Sequence, residues 1–323
     1  MSEMMPNTKF RKRKDDDAVR VAAEDKDVCS PASTRRHGEK KNRVEGSCLS
    51  RADVMEAGRL WNTSQKNAAD RIPVRFLKDP VVVSRHIRDR VGREDIWMST
   101  FVPRGHPLAD RIRESLRPEM PVEWLKDGNT WLSNFDIDAV LRQYDAAHPE
   151  FKFLGVFPMD FGRRYGDDRC VSMEVCSFDV AQAWAQGVRK VAMVLNMDDH
   201  TGPGSHWVCV TVGLDPLRPN YGVFYYDSVA LPPTQEVQDY ADDLSARVND
   251  IHASASSFPA TRTFRLQYNT VRRQFGNTEC GVFALFCVLC SLHDTLDFES
   301  VCEAMGTDEM IHEFRWRLFR PPR

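Results

Sequence analysis

The chain has 323 residues, a net charge of −3 and 42% apolar residues. That is enough for a catalytic domain of ordinary size plus an appendage, and it argues against a protein that binds nucleic acid over its whole surface. No apolar run reaches the roughly 18 residues that would span a bilayer, and Met1 to Arg13 lacks the apolar core of a secretory signal. The nine cysteines are scattered without a short-spaced framework, which predicts free thiols in a reducing compartment.

In chain order, residues 1–50 are dominated by Arg, Lys, Asp, Glu and Ser, with Phe10 as the single aromatic. This composition predicts a disordered charged tail. Arg11 to Lys14 form a basic run, answered at once by Asp15, Asp16 and Asp17. It reads as a solvated charge run; a nuclear-localisation or anion-binding patch is the other reading. Residues 51–118 show weak helical periodicity over Arg51–Gln65 and Val82–Val91, interrupted by Pro73, Pro80, Pro103 and Pro107. They are expected to form a small helical arm. Residues 119–323 are expected to form the catalytic domain.

Within that domain, Ser133 to Asp136 spells a capping box ahead of a helix carrying Ile137, Val140 and Leu141. Strands are predicted at 151–157, 190–195, 206–212, 221–227 and 264–268. Val208, Val210 and Val212 share one face of the third of these. Ser177 is expected to cap a helix to Gln186, Thr234 a long helix, and Thr307 a last helix to Phe319. Cys280 opens an apolar run to Leu292 that reads as a buried helix. Strands and helices are interspersed, so the class is α+β.

Chemistry is suggested by four residues in order. Cys280 lies at a helix mouth, where the partial positive charge and unpaired N–H groups favour thiolate over thiol. His206 and Asp227 bracket the turn residues 214–220. The midpoint between them falls between Pro216 and Leu217, so a symmetric hairpin would bring imidazole and carboxylate to one sheet edge. A carboxylate there fixes the tautomer of the histidine, which can take the thiol proton and return it to a leaving amine. Gln274, on the loop before Cys280, offers a primary amide to a developing oxyanion, with the Cys280 N–H as second donor. Gly281 lets substrate approach the helix start. The set predicts a cysteine hydrolase.

At these residues the chain resembles the Ulp1/adenain-type cysteine peptidases, and more particularly the polyprotein-processing proteases of the asfarvirus type. The resemblance rests on Trp131 to Asp138, Val194 to Asp198, Thr201 to Trp207, Thr278 to Gly281 and Thr307 to Arg320, and covers roughly residues 120–320. The asfarvirus type has Asn where this chain has Asp227, a change that leaves the mechanism intact. The resemblance implies a central, mostly antiparallel sheet with the nucleophile at the N-terminus of a buried helix, preceded by an N-terminal helical arm. It implies cleavage after Gly-Gly-type motifs in viral core polyproteins or, as the alternative, deconjugation of a ubiquitin-like protein. Trp207 becomes a candidate wall of a narrow substrate tunnel, or else a core residue. The resemblance further implies a monomer without cofactor or metal, in host cytoplasm and virion; the run from Arg11 to Lys14 leaves the nucleus open. Cys287 and Cys290 form a C-x-x-C inside the apolar helix and are expected to be inert core thiols. Cys170, Cys176, Cys209 and His200 fit no zinc spacing. Glu279, adjacent to the nucleophile, is expected to point away from it.

Overall fold

The structure, a computed structural model, describes residues 28–31, 43–166, 169–253 and 262–322. Most of the expected tail, including the run from Arg11 to Lys14, lies outside the described residues. Two compact units divide the rest. One comprises the described residues up to 125 with 146–148 and 317–322; the other comprises 126–145 and 149–316.

The first unit is helical: α1 (Arg51–Ser64), α2 (Pro80–Val91), α3 (Glu94–Thr100) and α4 (Pro107–Ser115). Two prolines that read as interruptions are starts instead. Pro80 follows the N-cap Asp79, and Pro107 follows His106, whose ring accepts from the Leu108 N–H. Proline suits the first helical position because its missing N–H would be unpaired there anyway. The core gathers Val54, Trp61, Val83, Ile87, Trp97 and Ile112. Residues 43–50, assigned by composition to the tail, belong to it: Val44, Cys48 and Leu49 are buried, and Cys48 is bridged to Cys29. A second bridge joins Cys170 to Cys176. The expectation of free thiols therefore fails at these four cysteines; Cys209, Cys280, Cys287, Cys290 and Cys302 form no disulfide. Spacing alone did not reveal two bridges that each close a short loop.

The second unit is built on α5 (Asn134–Ala147) and a five-stranded sheet. The strands are β1 (Phe151–Pro158), β4 (Lys190–Asn196), β5 (Trp207–Gly213), β6 (Gly222–Tyr226) and β7 (Leu266–Tyr268), in the spatial order β1-β4-β5-β6-β7. A short separate pair, β2 (Arg164–Tyr165) and β3 (Arg169–Cys170), lies between β1 and β4 in sequence. The inner pairs β4/β5 and β5/β6 are antiparallel, whereas the outer pairs β1/β4 and β6/β7 are parallel. The sheet is thus mixed rather than mostly antiparallel. The capping box at α5 forms as read: the Ser133 N–H donates to Asp136 at 2.8 Å and the Asp136 N–H to Ser133 Oγ at 3.2 Å. Ser177 does not start a helix. It closes the short α6 (Met173–Cys176), and Asp179 caps α7 (Val180–Ala185) by accepting from the Gln182 N–H.

Both faces of the sheet are covered. Val208, Val210 and Val212 join Val237, Leu244 and Val248 of α8 (Gln235–Ala253) in one cluster. On the other face Cys209 meets Cys287 of α9 (Cys280–Ser291), and Phe224 packs with its ring centroid 5.1 Å from that of Phe298 of α10 (Phe298–Ala304), the two rings tilted by 38°. The last helix, α11, is Asp308–Leu318. α9 is buried along nearly its whole length, which explains why its sequence lacks a polar face. Cys287 and Cys290 are inert core thiols as expected. The hydrogen bond with Cys209, then burial, holds Cys287 well above the ordinary thiol pKa, and burial does the same for Cys290. Among the described residues no helix is long and apolar enough to cross a membrane.

Because α9 carries Cys280 at the start of a packed helix, its anchoring matters for the whole unit. Phe283, fully buried, should cost about 3–5 kcal/mol when replaced by alanine. Urea titration of Phe283→Ala should show that loss; a change under about 1 kcal/mol would mean the helix is not held by this packing.

Candidate active site

His206 immediately precedes β5 and Asp227 immediately follows β6, so the hairpin brings their side chains together. His206 Nε2 lies 2.7 Å from Asp227 Oδ1. The register differs from the symmetric expectation by two residues. Cys209 pairs with Tyr226, which places Asp227 across from Val208, one step beyond the end of the ladder. His206 is therefore a diagonal neighbour. An even slip preserves the side of the sheet on which both residues lie, and so preserves the contact; a slip of one would have destroyed it.

Asp227 has no exposed surface. A buried carboxylate must be compensated, and the turn after β6 does this. Val229 N–H donates to Oδ1 at 2.9 Å and Leu231 N–H to Oδ2 at 3.2 Å. The turn bends through Ala230, which takes a φ of 62°, a conformation strained for any residue with a Cβ. Asn269, just past β7, holds the main chain: its Oδ1 accepts from the Asp227 N–H at 2.9 Å and its Nδ2 donates to the Asp227 C=O at 2.7 Å.

Cys280 is the first residue of α9 and is 2% exposed. It hydrogen-bonds His206. With Nε2 engaged by Asp227, the other ring nitrogen is the one left for the thiol. Burial of the ring opposes its charging, but the hydrogen bonds to Asp227 and Cys280 and their charges outweigh burial and raise His206 to about 9. Glu279 occupies the N-cap position without capping with its side chain. Its carboxylate turns instead to Arg315 of α11, with Oε2 accepting from NH2 at 2.9 Å and from Nε at 3.2 Å, and to His312 Nδ1 at 3.0 Å. Arg315 is fully buried and also donates to the carbonyls of Gly128 and Thr130 at 2.8 and 2.6 Å. The charge next to the thiol is thereby neutralised, and the N–H groups at the helix mouth are not consumed by it.

Gln274 is buried on the loop before Cys280. Its Oε1 accepts from Ser228 Oγ at 2.6 Å and its Nε2 donates to the Gly276 carbonyl at 3.2 Å. The loop is pinned by Asp308 at the start of α11, whose Oδ2 accepts from the N–H groups of Phe275 and Gly276 at 2.8 and 2.9 Å. Half-buried Trp207 donates from its indole to the Leu132 carbonyl at 2.9 Å. A Cβ added at Gly281 would stand 3.1 Å from Leu132 Cβ and 3.2 Å from Trp207 Cδ1. The helix mouth is therefore walled closely by these two residues, and glycine is what fits. The structure thus places His206 between Asp227 and Cys280, with Gly281 next to Cys280 and Gln274 on the loop that leads to it. Ser228, Asn269, Arg315 and Asp308 were missed from the sequence. Among the described residues no group of three or more His, Cys, Asp or Glu side chains is arranged to hold a metal ion.

No family model matches the chain. It is similar to a cysteine protease of African swine fever virus (isolate Tick/Malawi/Lil 20-1/1983), 27% identical over 195 residues, covering 58% of this chain and 67% of the relative. The corresponding protein of isolate Pig/Kenya/KEN-50/1950 is described as a SUMO-1 cysteine protease. A chain of Acanthamoeba polyphaga mimivirus described as a thiol protease is 23% identical over 220 residues, 65% of each chain. This chain thus spans about two thirds of the length of these relatives. In fold it matches the crystal structure of the African swine fever virus protease, with a TM-score of 0.59 and 19% identity over 92% of this chain and 96% of that one. The chain is a cysteine peptidase with the fold of the African swine fever virus protease. The turn 227–231 supplies the N–H donors that the buried Asp227 carboxylate requires.

Two consequences of the geometry are measurable. Arg315→Met would leave the Glu279 carboxylate buried without its cation, which should cost roughly 3–5 kcal/mol in urea titrations. The double replacement Arg315→Met with Glu279→Leu should recover most of it; a single variant within 1 kcal/mol of wild type would show that the pair carries no such constraint. The second concerns His206. In the folded peptidase it keeps its proton up to about pH 9, whereas the unfolded chain releases it near 6.5. Its contribution to stability is full below about 6.5 and is lost as the pH rises through about 9. An NMR titration should place the imidazole midpoint near 9 in the wild type and lower in Asp227→Asn; equal midpoints would contradict the role of that carboxylate.

Proposed function

We propose that Cys280 is the nucleophile, His206 the general base and acid, Asp227 its orienting carboxylate and Gln274 the oxyanion donor. The hydrogen-bonded series from thiol to imidazole to buried carboxylate carries this reading. The thiolate adds to the scissile carbonyl carbon, and the oxyanion is met by the Gln274 amide and the Cys280 N–H. As the C–N bond breaks, imidazolium protonates the leaving amine and a thioester remains. His206 then takes a proton from water, hydroxide equivalent adds to the thioester, and the thiol leaves with that proton.

The substrate class is a polypeptide cleaved after a Gly-Gly-type motif. The resemblance of Thr201 to Trp207 and of Thr278 to Gly281 to the Ulp1/adenain-type peptidases supports it, with Trp207 and Gly281 as the candidate substrate contacts. The similarity to viral proteases favours maturation of viral core or capsid polyproteins, and we propose the host cytoplasm and the virion as its place of action. The description of one relative as a SUMO-1 cysteine protease favours a second reading, release of a ubiquitin-like protein.

Purified peptidase incubated with Gly-Gly-containing peptides should release the fragment C-terminal to the second glycine, and Cys280→Ala should abolish release. Replacing that glycine by valine should lower kcat/KM by at least about a hundredfold, about 2.7 kcal/mol. Tolerance of valine would remove the Gly-Gly assignment. Labelling by a full-length ubiquitin-like aldehyde, with no turnover of short peptides, would favour deconjugation.

A further inference from the structure

A primary amide has a donor end and an acceptor end of nearly equal size, and only the donor end can stabilise a developing oxyanion. An oxyanion glutamine therefore needs something that decides which way it faces. Gln274 is 2% exposed and Ser228 is 1% exposed, so water does not make that decision. Gly276 C=O accepts from Nε2 at 3.2 Å, while Ser228 Oγ donates to Oε1 at 2.6 Å. Turning the amide over would set Oε1 against the Gly276 carbonyl, acceptor against acceptor. The main chain is fixed by the same residue, because Ser228 C=O accepts from the N–H groups of Arg273 and Gln274 at 2.8 and 2.9 Å.

We propose that Ser228 is a positioning residue of the oxyanion site. Its hydroxyl locks the Gln274 amide with a remaining N–H available to substrate, and by donating to Oε1 it strengthens that N–H as a donor. Being the neighbour of Asp227, it also ties the oxyanion amide to the turn that orients the base. The proposal rests on the assignment of Gln274 as oxyanion donor.

The test uses Ser228→Ala, Gln274→Ala and the double variant, with a peptide that the wild-type enzyme cleaves. Three readouts are taken: kcat and KM, the affinity for the matching peptide aldehyde, and the pH profile of Cys280 alkylation by iodoacetamide. Alkylation reports the thiol–imidazole pair without needing an oxyanion donor. Ser228→Ala should lower kcat roughly tenfold and weaken the aldehyde by a similar factor. KM and the alkylation profile should be unchanged. Gln274→Ala should lower kcat by about a hundredfold or more, and the double variant should be no worse than Gln274→Ala alone. Wild-type kcat in Ser228→Ala, a further tenfold loss in the double variant, or an altered alkylation profile would each overturn the role of Ser228. Wild-type kcat in Gln274→Ala would instead overturn the oxyanion assignment beneath it.

Discussion

The site depends on satisfying one buried carboxylate without water. Asp227 is wholly buried, and removing an ion from water is costly unless charge and hydrogen bonds replace the lost solvent. The imidazole of His206 and the N–H groups of Val229 and Leu231 provide that replacement. This requires the chain to fold back on itself directly after β6, which explains the left-handed Ala230. Strain of this kind persists where the surroundings over-determine the backbone. Here they do: the Asp227 main chain is held on both sides by Asn269, and Ser228 receives the Arg273 and Gln274 N–H groups.

The same demand appears at Cys280 with opposite sign. A carboxylate beside a thiol would oppose its ionisation, yet Glu279 directly precedes Cys280. The fold uses that carboxylate to hold Arg315, which in turn ties down the carbonyls of Gly128 and Thr130. These residues lead to Leu132, whose carbonyl takes the Trp207 indole and whose side chain crowds Gly281. The acidic residue thus faces away from the chemistry and fastens the wall opposite it.

Much of this architecture is legible in the sequence because its signals are local. The α5 capping box, the apolar run of α9 and the alternation of Val208, Val210 and Val212 each state an element within a dozen residues. The His206–Asp227 contact is legible from the hairpin although the symmetric register is two residues off, because parity rather than pairing decides the side of a sheet. What stayed hidden depends on residues distant in the chain. Arg315 lies 36 residues from Glu279, Ser228 lies 46 from Gln274, and Asn269 lies 42 from Asp227. Serine, asparagine and arginine have ordinary surface and turn uses, so nothing in their own neighbourhoods marks these three.

The parallel pairing of β7 with β6, which the sequence reading did not anticipate, has a use in the site. Strands running in the same direction end at the same edge of a sheet. Because β7 runs with β6, its C-terminal end arrives where Asp227 is, and Asn269 follows it at once. The chain then needs only a short loop to place Gln274 against Ser228 and to enter α9 at Cys280. Had β7 paired antiparallel to β6, its beginning would lie at that edge, and the loop bearing the amide and the thiol would start from the far end of the sheet. The three-residue strand is too short to add much stability, but its direction delivers the second half of the site to the first.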